Sequence, residues 1–377
     1  MRITRRQFIQ YVTATAAALG ISQTTVDRVV EAIARPGAPK VIWLSGQACG
    51  GCIEAASNMF IGEVDYTDAN GNNVYDHIGV AQVKALFSDP QLASSTTVED
   101  VIIDVIDLKL MNVINTPSGD LYTSYLKRFF PGGDLRDGNF VVVVEGSIPK
   151  DLNMTNVDYC GIAHDYSTGN WIGIGKALQE LCFGSNKAAA VIAYGTCAAY
   201  GNIPAARNVK YQPATQKYEH TFAMGVGTYL DSKVGSLGSH SPVVNIPVCP
   251  GHPEALALTV VDYLTYGLSS AFLANLDSYG RPKKSLAFGF NLYGRPLHQD
   301  CPRLQKYANG LYSTKFGDPV QGCLINLGCQ GQWTYTPCHT LKWNRQYSQT
   351  NCISAGIPCV GCGEKGFPDK TMAYRGY

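Results

Sequence analysis

The stretch KVIWLSGQACGGC, residues 40–52, decides the fold. Its first five residues, Lys40 to Leu44, form an apolar run that predicts a strand buried on both faces, because such strands lack polar alternation. The run leads directly into Cys49-Gly-Gly-Cys52, and a helical pattern follows over Ile53 to Met59. A strand, a cysteine-bearing loop and a helix in this order indicate an α/β domain with functional groups at the carboxyl ends of its strands.

The same pattern recurs along the chain. Further apolar runs predict strands at Val101–Leu108, Asn139–Val144, Ala188–Tyr194 and Pro242–Ile246, and helical patterns cover Trp171–Leu181 and Pro253–Tyr266. Strands separated by helices predict a parallel sheet with helices on both faces. We therefore expect an α/β domain with a flavodoxin-like, doubly wound parallel sheet over residues 35–280. Within it, Ile203 to Ser241 is polar and has no clear period, which is typical of an insertion.

Residues 281–377 differ in character from the rest of the chain. They contain few apolar runs, many glycines and prolines, and seven of the thirteen cysteines. Such a segment cannot bury a large apolar core. We therefore expect a small, irregular C-terminal domain that is held together by bound metal.

The composition excludes some classes of function. The 377 residues carry a formal net charge of +1, and only 16% of them are charged. Nucleic-acid binding depends on an excess of Lys and Arg, so we expect no nucleic-acid partner. A charge-poor surface is typical of a subunit that a partner covers. The odd number of cysteines, 13, excludes a complete set of intrachain disulfides.

The N-terminal segment has the features of an export signal. Arg5-Arg6 is followed by Phe8 and then by a weakly apolar stretch, Tyr11 to Ile21, which is too short to span a bilayer. We expect a twin-arginine signal over residues 1–34 and a periplasmic protein that is exported already folded, with its metal inserted. An ordinary amphipathic N-terminal helix is the alternative interpretation.

Cysteines follow three of the predicted strands. Cys49 and Cys52 come after the first strand, Cys197 after the fourth and Cys249 after the fifth. Because the carboxyl ends of parallel strands meet at one edge of the sheet, these four thiols should converge there. A thioredoxin-type dithiol needs only two cysteines, whereas four thiolates suit a tetrahedral zinc ion or a [4Fe–4S] cluster.

Two further sets of four ligands follow in the C-terminal segment. The first set is His298, Cys301, Cys323 and Cys329, and the second is Cys338, Cys352, Cys359 and Cys362. A set of three cysteines and one histidine is also a legitimate structural zinc site, so zinc remains an alternative here. The remaining two cysteines, Cys160 and Cys182, are expected to pack as small apolar side chains.

Taken in order, these motifs closely resemble the small, electron-transferring subunit of nickel–iron hydrogenases. The resemblance covers nearly the whole chain, including the paired arginines of the export signal. The segments that carry it are Cys49-Gly-Gly-Cys52, Val144-Glu-Gly-Ser-Ile-Pro149, Gly195-Thr-Cys-Ala-Ala-Tyr-Gly-Asn-Ile-Pro204, Asn245-Ile-Pro-Val-Cys-Pro-Gly-His-Pro253 and the tail from His298 to Cys362.

The resemblance implies three iron–sulfur clusters. It assigns a proximal [4Fe–4S] cluster to Cys49, Cys52, Cys197 and Cys249, a distal [4Fe–4S] cluster to the His298 set, and a medial cluster to Cys338, Cys359 and Cys362. The nickel–iron centre would lie in a separate large subunit, so this chain would hold no catalytic residue. The implied reaction is H₂ ⇌ 2H⁺ + 2e⁻. Its electrons would pass between the large subunit and an external partner such as a cytochrome c or a membrane quinone module.

One position departs from the pattern of many family members. Members with a [3Fe–4S] medial cluster carry a proline seven residues before the last C-x-x-C, and here that position is Cys352. A fourth thiolate permits a fourth iron, so we predict three [4Fe–4S] clusters in all. A three-iron medial cluster beside an unligated Cys352 is the alternative.

Two carboxylates lie near the predicted proximal cluster. These are Glu54, just after Cys52, and Glu145, which directly follows the strand predicted over Asn139–Val144. Hydrogen bonding to the backbone around the cluster is a simpler role for them than proton transfer. We therefore expect them to support the ligands.

Two other functions remain open at this level. An iron–sulfur subunit of a quinone-reducing complex would resemble the first domain, but it would need neither the tail containing His298 nor an export signal. A secreted protein stapled by zinc or disulfides would use the cysteines without redox chemistry. Analysis of iron and acid-labile sulfide separates this last class from the other two.

Overall fold

The computed structural model describes residues 39–57, 107–113, 118–149, 160–206, 223–318, 321–341 and 351–369, together with four short strands at 66–67, 73–74, 209–212 and 217–220. The predicted export segment, residues 1–34, lies outside these ranges. Among the helices that the structure describes, none combines the length and the apolar character that a membrane span requires.

Eleven strands are described. In chain order they are β1 (Lys40–Ser45), β2 (Tyr66–Thr67), β3 (Asn73–Val74), β4 (Asp107–Met111), β5 (Phe140–Glu145), β6 (Gly161–Asp165), β7 (Asn170–Gly173), β8 (Ala190–Tyr194), β9 (Val209–Gln212), β10 (Lys217–His220) and β11 (Val243–Ile246). The helices described before residue 280 are Gly51–Ser57, Gly119–Lys127, Ile174–Cys182, Thr196–Tyr200, Asn202–Ala205, Val226–Asp231, Val234–Leu237, Pro253–Tyr266 and Ser270–Asn275.

Five of the strands form one parallel sheet in the spatial order β11-β8-β5-β1-β4. Numbered along the chain, this is the 2-1-3-4-5 order of flavodoxin-like sheets, which confirms the predicted fold class. The direction of winding reverses between β1 and β5. Ligands of open α/β sheets bind above the carboxyl ends of the strands at such a reversal. The loop that carries Cys49 and Cys52 follows β1 and therefore begins at this reversal.

The two faces of the sheet are covered by different parts of the chain. Even-numbered residues of β1, such as Ile42 and Leu44, are fully buried against the helices Gly119–Lys127 and Ile174–Cys182. The odd-numbered Val41 and Trp43 point to the opposite face, because successive strand residues alternate. That second face packs against the helix Pro253–Tyr266 and against C-terminal side chains, namely Leu292, Tyr293, Leu297, Leu324, Leu327, Leu341 and Ile353.

The C-terminal segment is built from short helical turns and loops. Its helices are Leu297–Asp300, Leu304–Ala308, Ile325–Leu327, Gly331–Trp333 and Cys338–Leu341. A buried ion-pair network joins it to the first part of the chain. The Arg281 side chain, 3% exposed, donates to Asp277 Oδ2 at 2.7 Å and to Glu364 Oε1 at 2.9 Å. Glu364 Oε1 also accepts from the Tyr335 N–H at 2.6 Å.

Some element boundaries differ from the sequence predictions. The strand predicted over Val101–Leu108 is found at β4, Asp107–Met111, and residues 101–106 lie outside the described ranges. The helix predicted over Trp171–Leu181 begins only at Ile174. Its first residues form β7 instead, which pairs with β6 in a hairpin where the rings of His164 and Trp171 meet edge to face.

The stretch Ile203 to Ser241 is more than a polar insertion. It contains the hairpin β9–β10 and the helix Val226–Asp231, whose Val226, Tyr229 and Leu230 belong to the core on the first face of the sheet. The helix has only six residues, so its apolar period is too short to stand out in the sequence.

Candidate metal centres

The four cysteines of the predicted proximal group follow the carboxyl ends of three strands. Cys49 and Cys52 flank the start of the helix Gly51–Ser57 after β1, Cys197 lies in the first turn of a helix after β8, and Cys249 follows β11. Cys49 and Cys249 are exposed, and the other two are partly buried. The parallel sheet thus brings together side chains that are up to 200 residues apart in the sequence.

Neighbouring thiols of the group contribute to the raised pKa values of Cys197 and Cys52. Burial raises the pKa of Cys197 to about 12, and the proximity of Cys249 and Cys49 adds to this rise. Burial likewise raises the pKa of Cys52, with contributions from Glu145, Cys197 and Cys249. Without metal, the Cys52 and Cys197 thiols stay protonated at neutral pH. A bound cation reverses the balance, because a thiolate that ligates metal gives up its proton.

Donors are already directed at the sulfurs. The Gly51 N–H donates to Cys49 Sγ at 3.4 Å, the Gly251 N–H to Cys52 Sγ at 3.5 Å and Asn202 Nδ2 to Cys197 Sγ at 3.3 Å. Such bonds stabilise thiolates and raise the reduction potential of an iron–sulfur cluster. The donor set fits a polythiolate cluster.

Gly195 explains why a glycine precedes Thr196-Cys197. Its φ is +86°, a backbone conformation that L side chains rarely adopt. A Cβ at this position would also collide with the Cys52 Sγ. The glycine therefore lets the β8 loop approach the sulfur carried by the β1 loop.

The two predicted supporting carboxylates have different environments. Glu145 is 1% exposed and accepts from Ser45 Oγ at 2.7 Å and from the Ile53 N–H at 2.9 Å. The register of β1 and β5 pairs it with Ser45. Burial raises the pKa of Glu145. It anchors the first turn of the cysteine-bearing helix, whereas the Glu54 side chain is exposed on the same helix.

All four members of the predicted distal group line one cavity. The cavity brings His298, Cys301, Cys323 and Cys329 together, with Arg303 and Ile353 among the other lining residues. Burial lowers the pKa of His298, which favours the neutral imidazole that binds metal. Its ring meets Tyr307 edge to face at 4.7 Å. The arrangement fits a cluster that is held by three thiolates and one imidazole.

The predicted medial group is the most deeply buried of the three. Burial raises the pKa of Cys338 to about 12, and the nearby Cys352 contributes to the rise. Burial also raises the pKa values of Cys359 and Cys362, and the proximity of Cys338 contributes to both. Asn351 ties two of the segments together, because its Nδ2 donates to the Cys338 carbonyl at 3.1 Å. The structure therefore places Cys352 near Cys338, and Cys329 of the predicted distal group is also near Cys352.

Hydrogen bonds link the three groups in sequence. The Thr196 hydroxyl, beside Cys197, donates to the Cys362 carbonyl at 2.5 Å. The Gln330 N–H, beside Cys329, donates to the Cys359 carbonyl at 2.8 Å. The medial group thus lies between the proximal and distal groups. Thr196 was not among the site residues predicted from the sequence, although it belongs to the Gly195-Thr-Cys197 motif.

Two further observations bear on the chemistry of the cysteines. Among the described residues, which include all thirteen cysteines, none forms a disulfide. Within the same residues, no three His, Cys, Asp or Glu side chains are close enough to bind one ion. A cubane spreads its ligands over four irons, so its fit is judged by the proximity of the thiols. As expected, Cys182 is buried in the core, and Cys160 packs against it.

Two family models match this chain, one in its first part and one in its C-terminal part. Residues 293–375 match the family model for the C-terminal part of the NiFe/NiFeSe hydrogenase small subunit. Residues 90–263 match the model of the NADH ubiquinone oxidoreductase 20 kDa subunit, which accounts for the first part of the chain only. The quinone-reducing alternative therefore shares the first domain but lacks a match to the tail.

Individual relatives give the same result over the whole length. The chain is 29% identical to the periplasmic [NiFeSe] hydrogenase small subunit of Desulfomicrobium baculatum, over 98% of this chain and 97% of that protein. It is 28% identical to the hydrogenase-2 small chain of Escherichia coli K12, over 97% and 77% respectively.

A solved structure agrees with the sequence relatives. The recombinant [NiFeSe] hydrogenase from Desulfovibrio vulgaris Hildenborough, in its oxidised state, superposes with a TM-score of 0.64 at 31% identity, covering 89% of this chain and 96% of that one. Members of this family carry iron–sulfur clusters and pair with a large subunit that holds the nickel–iron centre. The flavodoxin-like sheet, the cysteine-bearing tail and these matches together show that the chain belongs to the family of small, electron-transferring subunits of nickel–iron hydrogenases.

Proposed function

We propose that this chain relays electrons through three [4Fe–4S] clusters, between the nickel–iron centre of its large subunit and a redox partner in the periplasm. The observation that carries the proposal is the continuous order of the three ligand groups. Thr196 links the proximal group to Cys362 of the medial group, and Gln330 links the distal group to Cys359. Clusters bound in this order would form a line of carriers through the protein.

The proposed proximal ligands are Cys49, Cys52, Cys197 and Cys249. Two of them, Cys49 and Cys249, are exposed at the carboxyl edge of the sheet. Exposed free thiols are unfavourable on a free surface, because they are readily oxidised. We infer that this edge is covered by the large subunit, which would place the nickel–iron centre next to the proximal cluster.

The proposed medial ligands are Cys338, Cys352, Cys359 and Cys362. Support for a fourth iron comes from Cys352, whose proximity contributes to the raised pKa of Cys338. A cluster that is held by four thiolates keeps all four irons. The deep burial of this group suits an internal carrier that exchanges electrons only with the two other clusters.

The proposed distal ligands are His298, Cys301, Cys323 and Cys329. Around this group the surface carries exposed apolar side chains, including Trp333 at 62% exposure and Tyr312 at 39%. Trp333 lies four residues after Cys329, and Tyr312 pairs with Cys323 in an isolated bridge. We infer that an external acceptor, such as a cytochrome c or a membrane quinone module, docks here.

Export by the twin-arginine route completes the proposal. It is supported by Arg5-Arg6 and the apolar stretch that follows, and by the periplasmic names of relatives in Desulfomicrobium and Solidesulfovibrio. Cluster binding before export would keep the cysteines from forming disulfides in an oxidising compartment.

The test is to purify the chain with its large subunit under anaerobic conditions and to measure two activities. We expect H₂-dependent reduction of a dye and H/D isotope exchange, which needs only the nickel site. In Cys197→Ser, dye reduction should fall strongly while exchange persists, and Cys160→Ser should retain both activities. Loss of neither activity in Cys197→Ser would reject the relay through this residue.

A further inference from the structure

His252 connects two of the ligand groups. It lies three residues after Cys249, in the loop that carries a proximal ligand. Its Nε2 lies 3.2 Å from the Sγ of Cys338, a proposed medial ligand 86 residues further along the chain. The imidazole is 0% exposed. A residue of the proximal loop therefore contacts a sulfur of the medial group directly.

The position of His252 is fixed by the helix that it precedes. His252 is the N-cap residue of the helix Pro253–Tyr266, and its carbonyl accepts from the Leu256 N–H at 3.2 Å. That helix packs on the second face of the sheet through Ala255 and Leu256. On the other side of the contact, Cys338 is buried and begins the helix Cys338–Leu341. Both partners thus lie at helix N-termini in a packed core.

The chemistry of the contact follows from the state of the sulfur. A thiolate bound to iron carries no proton, so it can only accept hydrogen bonds. A ring nitrogen at 3.2 Å then donates its N–H to that sulfur. The Cys338 thiol donates to Thr336 Oγ1 at 3.3 Å, and once the sulfur is a thiolate this hydroxyl becomes a second donor to it. One-electron reduction adds negative charge to a cluster, and donors to its sulfurs stabilise the reduced form.

We propose that His252 is a positioning residue that donates an N–H···S hydrogen bond to Cys338 and thereby raises the midpoint potential of the medial cluster. The loop that binds the proximal cluster would then also set the energy of the next carrier in the relay. This inference rests on the proposed function, because it requires Cys338 to be a cluster ligand.

The test is a redox titration of the complex with its large subunit, followed by electron paramagnetic resonance. His252→Met removes the donor and fills the space with a flexible apolar side chain. His252→Gln keeps an N–H. The matched control is His240→Met, since in the described part of the chain the His240 side chain contacts Ser241, Asp231 and Phe183, which lie outside the ligand groups. A parallel series in a Cys352→Ala background identifies the medial signal, because three thiolates should there hold a three-iron cluster.

In His252→Met, we expect the ratio of reduced to oxidised medial cluster at a fixed potential to fall about tenfold, which is about 59 mV for a one-electron couple. His252→Gln should recover most of the shift, and His240→Met should show none. Equal midpoints in the wild-type and Met proteins overturn the proposal. Equal decreases of the midpoint potential in His252→Met and His252→Gln also overturn it, because the shape of the side chain rather than its N–H would then set the potential. A three-iron signal in His252→Met with Cys352 intact would make His252 an iron ligand and also overturn it.

A second pair of variants and two measurements of the medial cluster's iron complete the experiment. If His252→Met does not assemble, His252→Gln is compared with His252→Asn, whose shorter amide should not reach the sulfur. A lower midpoint in Asn supports the proposal, and equal midpoints overturn it. Failure of the proposed function looks different: Cys338→Ser would then retain full iron, and Cys352→Ala would show no three-iron signal, whatever stands at residue 252.

Discussion

The Thr196 hydroxyl donates a 2.5 Å hydrogen bond to the main-chain carbonyl of Cys362, which lies 166 residues further along the chain. The same hydroxyl oxygen accepts the Val248 N–H at 2.9 Å. One side chain from the β8 loop therefore fixes both the loop that carries Cys249 and the last medial ligand. It holds the proximal and medial groups in register.

Thr196→Val should weaken this junction. The change leaves a buried N–H and a buried carbonyl without a partner, which costs about 1–3 kcal/mol for each unsatisfied group. The control is Thr265→Val, whose hydroxyl bonds the Val261 carbonyl in its own helix. We expect thermal unfolding of the complex at a lower temperature, and slower dye reduction, for Thr196→Val. Identical curves for the two variants would contradict the assignment.

Gly195→Ala should remove the proximal cluster. The new Cβ would both adopt an unfavourable φ and collide with Cys52 Sγ. The matched control is Gly169→Ala, where φ is +70° and no atom lies within 4 Å of a Cβ. Both variants incur a backbone strain of roughly 1–2 kcal/mol. Only Gly195→Ala should lose about four irons per chain in metal analysis. Full iron content in this variant would show that the β1 and β8 loops do not meet around a cluster.

These two predictions depend on features that the sequence reveals unequally. The strands and the cysteines that follow them could be predicted, because apolar runs and C-x-x-C spacing are local patterns. The spatial order that places Ser45 next to Glu145 is set by non-local pairing, and no local pattern records it. His252 was missed because a lone histidine in a Gly-Pro-rich loop carries no signal of its own. Its role depends on Cys338, which is distant in the sequence.

Arg281→Met should strongly destabilise the junction between the two parts of the chain. It would leave the carboxylate of Glu364, whose side chain is 12% exposed, without its cation. Removing one partner of a buried pair costs about 3–5 kcal/mol. The control is Arg128→Met, because Arg128 and Asp134 form an exposed pair for which a small change is expected. Chemical denaturation of the complex measures both. A similar, small effect of the two changes would contradict this role of Arg281.

Asp262 should make the stability depend on pH. Its fully buried carboxylate accepts from Ser285 Oγ and from the N–H groups of Leu286 and Ala287, and burial raises its pKa to about 6. A raised carboxyl pKa favours the protonated form in the folded state. Its stabilising contribution is therefore full below pH 4 and is lost as the pH rises through 6.

The measurement compares wild type with Asp262→Asn, which does not titrate. Relative to Asp262→Asn, the free energy of unfolding of the wild type should fall by about 1 kcal/mol from pH 5 to pH 7. Every other titrating group is common to both proteins. A difference that does not vary with pH would mean that Asp262 does not titrate in this range.

The proposal of three four-iron clusters is decided by the iron and acid-labile sulfide content of the anaerobically purified complex, read together with the electron paramagnetic resonance of its oxidised form. We predict about twelve cluster irons per small subunit and no three-iron signal. Cys352→Ala should contain about eleven and should acquire that signal, while Cys160→Ala should be unchanged. About eleven irons with a strong three-iron signal in the unaltered protein, or zinc in place of iron, would contradict the account.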